Sequence, residues 1–254
     1  MATASHLNVP SEFAEVRLGI VCPMANEAAT AIAFVDAVLS ECHRYPFGSV
    51  QLFVVLDTVS HDGTRELLER HQAGCLELRV VWAPENRGVA DAYVRGYREA
   101  LQEGSDWILE IDAGFSHSPT DIGTFLEAMT SGAVDCVFGS RFISGGANRG
   151  TLRRRLISRG GTALTNLLLG TRLSDMTSGF QLFTRAALEY VLAQGIRAKG
   201  PFFQTEMKTY CRRLRIAEIP IEYSAGSHRV GRRAITESLN ILWWLFRRRL
   251  ASRL

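Results

Sequence analysis

Asp112 is the residue whose surroundings ask most plainly for chemistry. It follows the apolar run 107–111 in Glu110-Ile111-Asp112-Ala113-Gly114-Phe115-Ser116-His117-Ser118-Pro119. A carboxylate at the end of a buried strand is costly to desolvate unless it is paired or bound to a metal, which marks it as a functional candidate. Strand alternation places Glu110 on the same side as Asp112. His117 is either a further metal ligand or a solvated loop histidine. Asp57 follows a second apolar run, in Asp57-Thr58-Val59-Ser60-His61-Asp62-Gly63-Thr64, where it can accept hydrogen bonds from a nucleobase or ribose. Asp62, before Gly63-Thr64, is read as a turn and helix cap. Glu27, in Pro23-Met24-Ala25-Asn26-Glu27, either caps its helix or touches a nucleoside.

Guanidinium groups supply the opposite charge. Arg87, in Pro84-Glu85-Asn86-Arg87-Gly88, is a phosphate contact or an exposed surface arginine. Arg141 and the cluster Arg153, Arg154, Arg155 and Arg159 suit charge-assisted, often bidentate contacts to phosphate, the alternative being a solvated basic helix face.

These residues need a frame that gathers them. Short apolar or β-branched runs at 17–22, 50–56, 76–82, 107–111 and 133–139 read as strands. Helical spacing fills the gaps at 30–41, 63–72, 89–103 and 120–130. Parallel strands need crossover helices, so the alternation predicts a mainly parallel α/β sheet with helices on both faces. Ligands of such sheets bind beyond the carboxyl ends of the strands, where Glu27, Asp57, Arg87, Asp112 and Arg141 all fall. Gly88, Ala92, Gly96 and Ala100 form a small-residue stripe that lets one helix approach the sheet closely. The second half reads as helices at 151–169, 185–194 and 204–213, a strand at 215–223 and a final helix at 234–250. The expected organisation is an N-terminal extension at 1–16, one catalytic domain at 17–233 and a C-terminal amphipathic helix at 234–254.

Composition bounds the class. A chain of 254 residues with 46% apolar content can bury a large core, and a net charge of +3 gives no reason to expect nucleic acid as a partner. Five scattered cysteines without a CxxC pair point to reduced thiols. Residues 1–13 carry no basic segment followed by an apolar one, and no run approaches the length of a membrane span, so a cytoplasmic protein is expected. The charge is uneven: from Arg229 onward there are seven arginines against Glu237. The run Trp243-Trp244-Leu245-Phe246-Arg247-Arg248-Arg249 fits either a peripheral site at an anionic membrane surface or docking onto the domain or a second subunit.

Taken in order, these segments resemble the family 2 glycosyltransferases of GT-A fold, especially the branch of dolichol-phosphate mannose synthase and bacterial polyprenol-phosphate glycosyltransferases. Pro23 to Glu27 is similar to the family's P-x-Y-N-E, and Asp57 to Thr64 to its D-D-x-S-x-D-G-T. Asn86-x-Gly88, Gly139-Ser140-Arg141 and Ser158-Arg159-Gly160 continue the match. Ser174-Asp175-Met176-Thr177-Ser178-Gly179-Phe180 resembles the D-x-x-S-G-F element of that branch. Ala25 and Thr58 replace an aromatic residue and an aspartate. The metal motif D-x-D is reduced to Asp112-Ala113-Gly114, with Ser116 in place of a glutamine ligand.

The resemblance implies a hexose, such as mannose or glucose, moved with inversion from a nucleoside-diphosphate sugar to a polyprenyl or dolichyl phosphate. It implies Mg²⁺ or Mn²⁺ on Asp112, and donor contacts from Pro23, Ala25, Glu27, Asp57, Arg87 and Asp112. Ser227-His228-Arg229 resembles the loop that closes on the donor phosphates, with Arg229 the contact. Arg141, Arg155 and Arg159 would hold the acceptor phosphate, and Gln204 and Glu206 would border the site on a late acidic helix. An anionic acceptor oxygen needs no strong general base, which leaves Arg141, Arg159 and the metal site to do the work by positioning and charge. A sugar or small hydroxyl acceptor would instead need a carboxylate base, for which Asp175 and Glu206 are the candidates. A nucleotide-sugar-binding regulatory protein without activity is the third reading.

Overall fold

A computed structural model describes residues 13–131, 133–224 and 232–251. Strands β1 (Arg17–Pro23), β2 (Ser49–Leu56), β3 (Leu78–Trp82), β4 (Trp107–Glu110), β5 (Cys136–Ser140), β7 (Gln181–Thr184) and β8 (Ile216–Pro220) form one sheet in the order β3-β2-β1-β4-β7-β5-β8. All neighbours pair in parallel except β7, which runs antiparallel to both β4 and β5. Helices α1 (Ala31–Cys42), α2 (Thr64–Gln72), α3 (Val89–Gln102) and α4 (Ile122–Ser131) are the crossovers of the first half. Helices α5 (Leu152–Leu169), α6 (Arg185–Ala193), α7 (Phe203–Tyr210) and α8 (Arg232–Leu250) follow. The expected mainly parallel α/β domain is what forms.

Side-chain alternation along the central strands divides the core into two layers. Ile20, Cys22, Leu52, Val54 and Leu56 face α1 and α4 through Phe34, Val38, Phe125 and Leu126. Val21, Phe53 and Val55 face the other way, toward Tyr93 and Tyr97 of α3, Met207 of α7 and Leu245 of α8. Ala92, Gly96 and Ala100 are buried on α3, as packing of the small-residue stripe against the sheet requires. All five cysteines are free thiols, with Cys22 and Cys136 in the core.

Two features depart from the sequence reading. Residues 181–184, between the expected helices at 151–169 and 185–194, form a sheet strand, β7, inserted between β4 and β5. Because it is antiparallel, its first residue lies beside the end of β4, with Gln181 opposite Glu110. The loop that leads into it therefore reaches the same sheet edge as Asp112. The expected strand at 215–223 divides at Ile221: β8 ends at Pro220, and β9 (Glu222–Tyr223) leaves the sheet to pair with β6 (Ala147–Asn148). Proline has no N–H to extend a ladder.

Candidate active site

At the carboxyl end of β4, two tyrosines of α3 meet two carboxylates. Tyr97 donates its hydroxyl to Glu110, and Tyr93, one turn earlier, donates to Asp112 Oδ1 at 2.5 Å. The two carboxylates then part in environment. Glu110 is fully enclosed and also accepts from Gln204 and, at 3.1 Å, from Gln181. Burial pushes its carboxyl up to about 8, so near neutral pH it is largely protonated and brings little charge to a metal. Strand alternation does keep Glu110 beside Asp112, but as an internal hydrogen-bond partner. The Asp112 side chain is 37% exposed and opens to the surface. Gly179 makes room for it: a Cβ there would stand 2.8 Å from Gln204 Nε2 and 3.4 Å from Asp112 Oδ2. The glycine of the S-G-F element thus backs the Asp112 carboxylate.

The loops after β1 and β2 are stitched into one surface. Asn26, at φ 58°, donates through Nδ2 to Val59 O at 3.0 Å and accepts from His61 N at 3.1 Å. Asp62 accepts from Thr64 N and from Ala28 N, each at 3.0 Å. Thr64 Oγ1 in turn accepts from Glu27 N at 2.8 Å. The expected turn-making role of Asp62 thus extends to carrying the neighbouring loop. Asp57 accepts from Val59 N at 2.9 Å through Oδ1. Ala25 is exposed, and Pro23 and Glu27 are half-buried beside it. At the β3 end, Arg87 is exposed and forms an (i, i+4) ion pair with Asp91 at 3.3 Å. It lines a groove with Glu85, Arg95 and Arg98.

On the other side of Asp112, Arg141 and Asp175 form a buried bidentate pair at 2.7 and 2.8 Å, and Arg141 Nη2 also donates to Thr177 Oγ1 at 2.6 Å. Burial pushes Asp175 up, the guanidinium outweighs it, and the carboxyl ends below its usual range. Asp175 is therefore a poor proton acceptor. The segment 174–178 is clamped from all sides. Glu218 accepts from Ser174 N at 2.9 Å, Thr162 from Met176 N at 3.1 Å, and Ser178 donates to Gly139 O. Lys208 Nζ donates to Asp175 O and Ser178 Oγ, both at 2.8 Å. Burial draws this lysine down to about 8. The Arg141 and Arg159 guanidiniums both lie over the Phe142 ring, at 5.3 and 5.2 Å, which brings α5 to the site. Arg155 and Arg159 are exposed.

His117 joins the two halves. It is buried between Phe180 and Tyr223, at ring distances of 5.1 and 5.2 Å, and Tyr223 also lies under Arg141. Its Nδ1 stands 3.6 Å from Asp112 Oδ2, and neither ring nitrogen has a hydrogen-bond partner among the described residues. Burial lowers its pKa, which keeps the ring neutral.

Of the late acidic helix, Gln204 borders the site from below, through Glu110 and Gly179. Glu206 does not reach it: its oxygens accept from Arg197 N at 3.0 Å, Ala198 N at 2.8 Å and Tyr210 at 2.9 Å, and burial raises its pKa. Arg229 lies outside the described residues. Tyr93, Tyr97, Gln181, Thr177 and Lys208 were not anticipated. The pair Tyr93 and Tyr97, spaced i and i+4 beside the glycine–alanine stripe, was the one available signal.

Among the described residues no three His, Cys, Asp or Glu side chains converge on a metal position. A site of one or two carboxylates completed by substrate phosphates is nonetheless the usual arrangement for Mg²⁺. The open Asp112 carboxylate and the unpartnered His117 behind it fit that arrangement.

The description Glycosyl transferase family 2 matches residues 19–192. Over 174 residues the chain is 33% identical to an undecaprenyl-phosphate mannosyltransferase of Micrococcus luteus, covering 67% of this chain and 70% of the relative. It is 29% identical over 209 residues to a polyprenol monophosphomannose synthase of Mycolicibacterium smegmatis, covering 81% and 76%. Among solved structures, glucosyl-3-phosphoglycerate synthase from Mycobacterium tuberculosis with uridine-diphosphate aligns at a TM-score of 0.67 and 19% identity, over 91% of this chain and 80% of that one. The same enzyme with Mn²⁺, uridine-diphosphate-glucose and phosphoglyceric acid aligns at 0.66 and 20%, over 95% and 86%. At these identities the structural likeness establishes the GT-A fold.

Proposed function

The chain belongs to glycosyl transferase family 2, a nucleotide-sugar-dependent glycosyltransferase of GT-A fold, and from that premise we propose that it transfers a hexose to a polyprenyl phosphate. The observation that carries the choice of acceptor is the state of the two candidate bases. Asp175 is locked to Arg141 with a depressed pKa, and Glu206 is sealed under the 197–198 backbone. A hydroxyl acceptor would find no carboxylate in either place to take its proton. A phosphate acceptor arrives with an oxygen already anionic. That oxygen attacks the anomeric carbon from the face opposite the leaving group as the bond to the diphosphate breaks, and the configuration inverts.

In this reading the donor lies over Pro23, Ala25, Glu27 and Asp57, with its diphosphate toward Asp112 and Arg87, and Arg229 is a further phosphate contact. The acceptor phosphate meets Arg155 and Arg159, while Arg141 is fixed by Asp175 at the floor. A bound Mg²⁺ or Mn²⁺ would neutralise the diphosphate leaving group. Helix α5 supports a lipid on the acceptor. Leu152, Leu156, Ile157, Leu164 and Leu167 are exposed along the helix that carries these arginines. Its neighbour α8 exposes Ile235, Leu239, Trp243 and Leu250. No helix among the described residues is long and apolar enough to cross a membrane, so contact through these faces would be peripheral.

Incubation with UDP-glucose or GDP-mannose, Mn²⁺ and undecaprenyl phosphate, read by mass spectrometry of the lipid, tests this. A glycosylated lipid phosphate is expected. Transfer to 3-phosphoglycerate or a free sugar, with none to the lipid, would overturn the acceptor class.

A further inference from the structure

Gly114 stands where the family motif carries its second aspartate, and the structure shows what occupies the vacated space. A Cβ built on Gly114 would lie 2.9 and 3.0 Å from the two carboxylate oxygens of Glu27. An aspartate at 114 and the observed Glu27 side chain would crowd one volume, and this chain keeps a single carboxylate there.

The placement of Glu27 is built rather than incidental. Its backbone N–H is held by Thr64 Oγ1 at 2.8 Å, the next N–H by Asp62 at 3.0 Å, and its carboxylate accepts from Thr30 Oγ1 at 2.7 Å. Residue 114 has φ 68°, which turns the loop after β4 toward Glu27. Gly114 is two residues beyond Asp112, so the Glu27 carboxylate lies against the same loop that carries Asp112.

A second observation points to a ligand at that place. His117 is 1% exposed, has no hydrogen-bond partner among the described residues for either ring nitrogen, and directs Nδ1 at Asp112 Oδ2 from 3.6 Å. A buried polar group left unpaired is costly, and metal-ligating carboxylates are themselves held by hydrogen-bond donors, the role His117 would take by closing on Asp112.

We propose that Glu27 supplies the second carboxylate of the divalent-cation site in place of the side chain missing at 114, opposite Asp112, with His117 positioning Asp112. The proposal rests on the reading that the donor diphosphate is bound with a cation. It also accounts for the reduced D-x-D sequence without loss of the site, because the carboxylate has moved from the β4 loop to the β1 loop.

The test uses Mn²⁺ with inorganic pyrophosphate on the full chain, followed by the electron paramagnetic resonance signal of the free ion. Glu27→Gln should weaken Mn²⁺ binding roughly ten-fold, as loss of a charged ligand implies. Adding Gly114→Asp to Glu27→Ala, which clears the space that a glutamine would still fill, should restore most of that affinity, since aspartate tolerates the left-handed backbone. Gly114→Asp alone should give no gain, because two carboxylates then crowd one volume. Matching melting temperatures and circular dichroism identify variants that are folded. If Asp112→Asn loses Mn²⁺ while Glu27→Gln keeps it, or if Glu27→Ala with Gly114→Asp is no better than Glu27→Ala alone, Glu27 is no ligand and the proposal falls. If Glu27→Gln weakens uridine diphosphate equally with and without Mn²⁺ and leaves Mn²⁺ alone unaffected, Glu27 binds the nucleoside instead, and the proposal again falls. The lipid-transfer assay is scored separately, so either failure leaves the glycosyltransferase reading to stand on its own result.

Discussion

Tyr93 holds Asp112 through a hydroxyl hydrogen bond of 2.5 Å, and this bond fixes one oxygen of the carboxylate while the other stays open. The tyrosine cannot drift, because its ring lies between Tyr97 and Phe203 at 6.0 and 5.1 Å. A hydrogen bond to a charged group contributes about 1.5 to 3 kcal/mol, most of it here in orientation.

Tyr93→Phe should therefore leave the protein folded and lower turnover by about ten-fold. Asp112→Ala should abolish transfer. Asp62→Ala, which frees Thr64 N and Ala28 N, should act mainly through stability and donor affinity. Steady-state rates beside melting temperatures check all three. Equal turnover in Asp112→Ala and Asp62→Ala would remove Asp112 from the reaction.

Glu110 predicts a pH dependence of stability. Its carboxyl moves from 4.5 in the unfolded chain to about 8 in the fold. Between those values the native state holds a proton that the unfolded chain has released, so stability is fully present below the lower value and is lost as pH rises through the higher one. The slope is at most about 1.4 kcal/mol per pH unit. Lys208, drawn from 10.5 to about 8, has the opposite sign above that window, where the unfolded chain binds the extra proton. Urea midpoints at about pH 5.5 and about pH 7.5 should differ in wild type, and Glu110→Gln should remove Glu110's share of the difference, leaving that of His117 and Glu206. An unchanged difference in the variant would mean that Glu110 is ionised in the fold.

Arg141 and Arg159 should separate when each is truncated. Removing one partner of a buried ion pair leaves an uncompensated charge and costs about 3 to 5 kcal/mol. Arg141→Ala strands Asp175, which is fully buried, so it should lower the melting temperature sharply as well as the activity. Arg159 is exposed over Phe142, and Arg159→Ala should leave stability intact while cutting transfer to polyprenyl phosphate about ten-fold and sparing donor binding. Loss of donor affinity in Arg159→Ala would move that arginine to the diphosphate side.

Much of this site was legible because its charged residues stand at the carboxyl ends of strongly patterned strands, where an α/β sheet must present them. Asp57, Asp112 and Arg141 are of that kind. What stayed hidden depends on pairs made across the chain. Nothing near Arg141 announces that Asp175, 34 positions on, will neutralise it. Glu110, the last residue of β4, and Asp112, two positions on, diverge in environment, because Gln181 and Gln204 close over only the first of them. The strand carrying Gln181 is four residues long, too short for alternation to reveal its direction. Gly114 looked like a loss until folding placed Glu27 beside it.

The final helix shows the same limit and sets the last prediction. Its aromatic and basic run fits either a face buried among lipid headgroups or docking onto the domain or a second subunit, and Leu245 is fully buried in the core with Ile241 and Leu242 nearly so. Trp244 is covered by Arg197 and Arg248 at 4.5 and 4.9 Å, and Arg249 Nη1 donates to Leu168 O at 2.7 Å. Trp243, 59% exposed, is what remains of the aromatic run for a membrane, together with Leu239 on the same helix. Truncation before Asn240 should consequently destabilise the domain, since each large apolar side chain lost from a core costs about 2 to 5 kcal/mol. It cannot report on membrane binding. Trp243→Glu combined with Leu239→Glu can, because both side chains lie on the surface. That variant should keep the wild-type melting temperature, sediment less with anionic liposomes and slow transfer to long-chain acceptors, while transfer to a short soluble analogue is unchanged. If sedimentation and long-chain transfer match wild type, α8 serves packing alone and the lipid is met elsewhere.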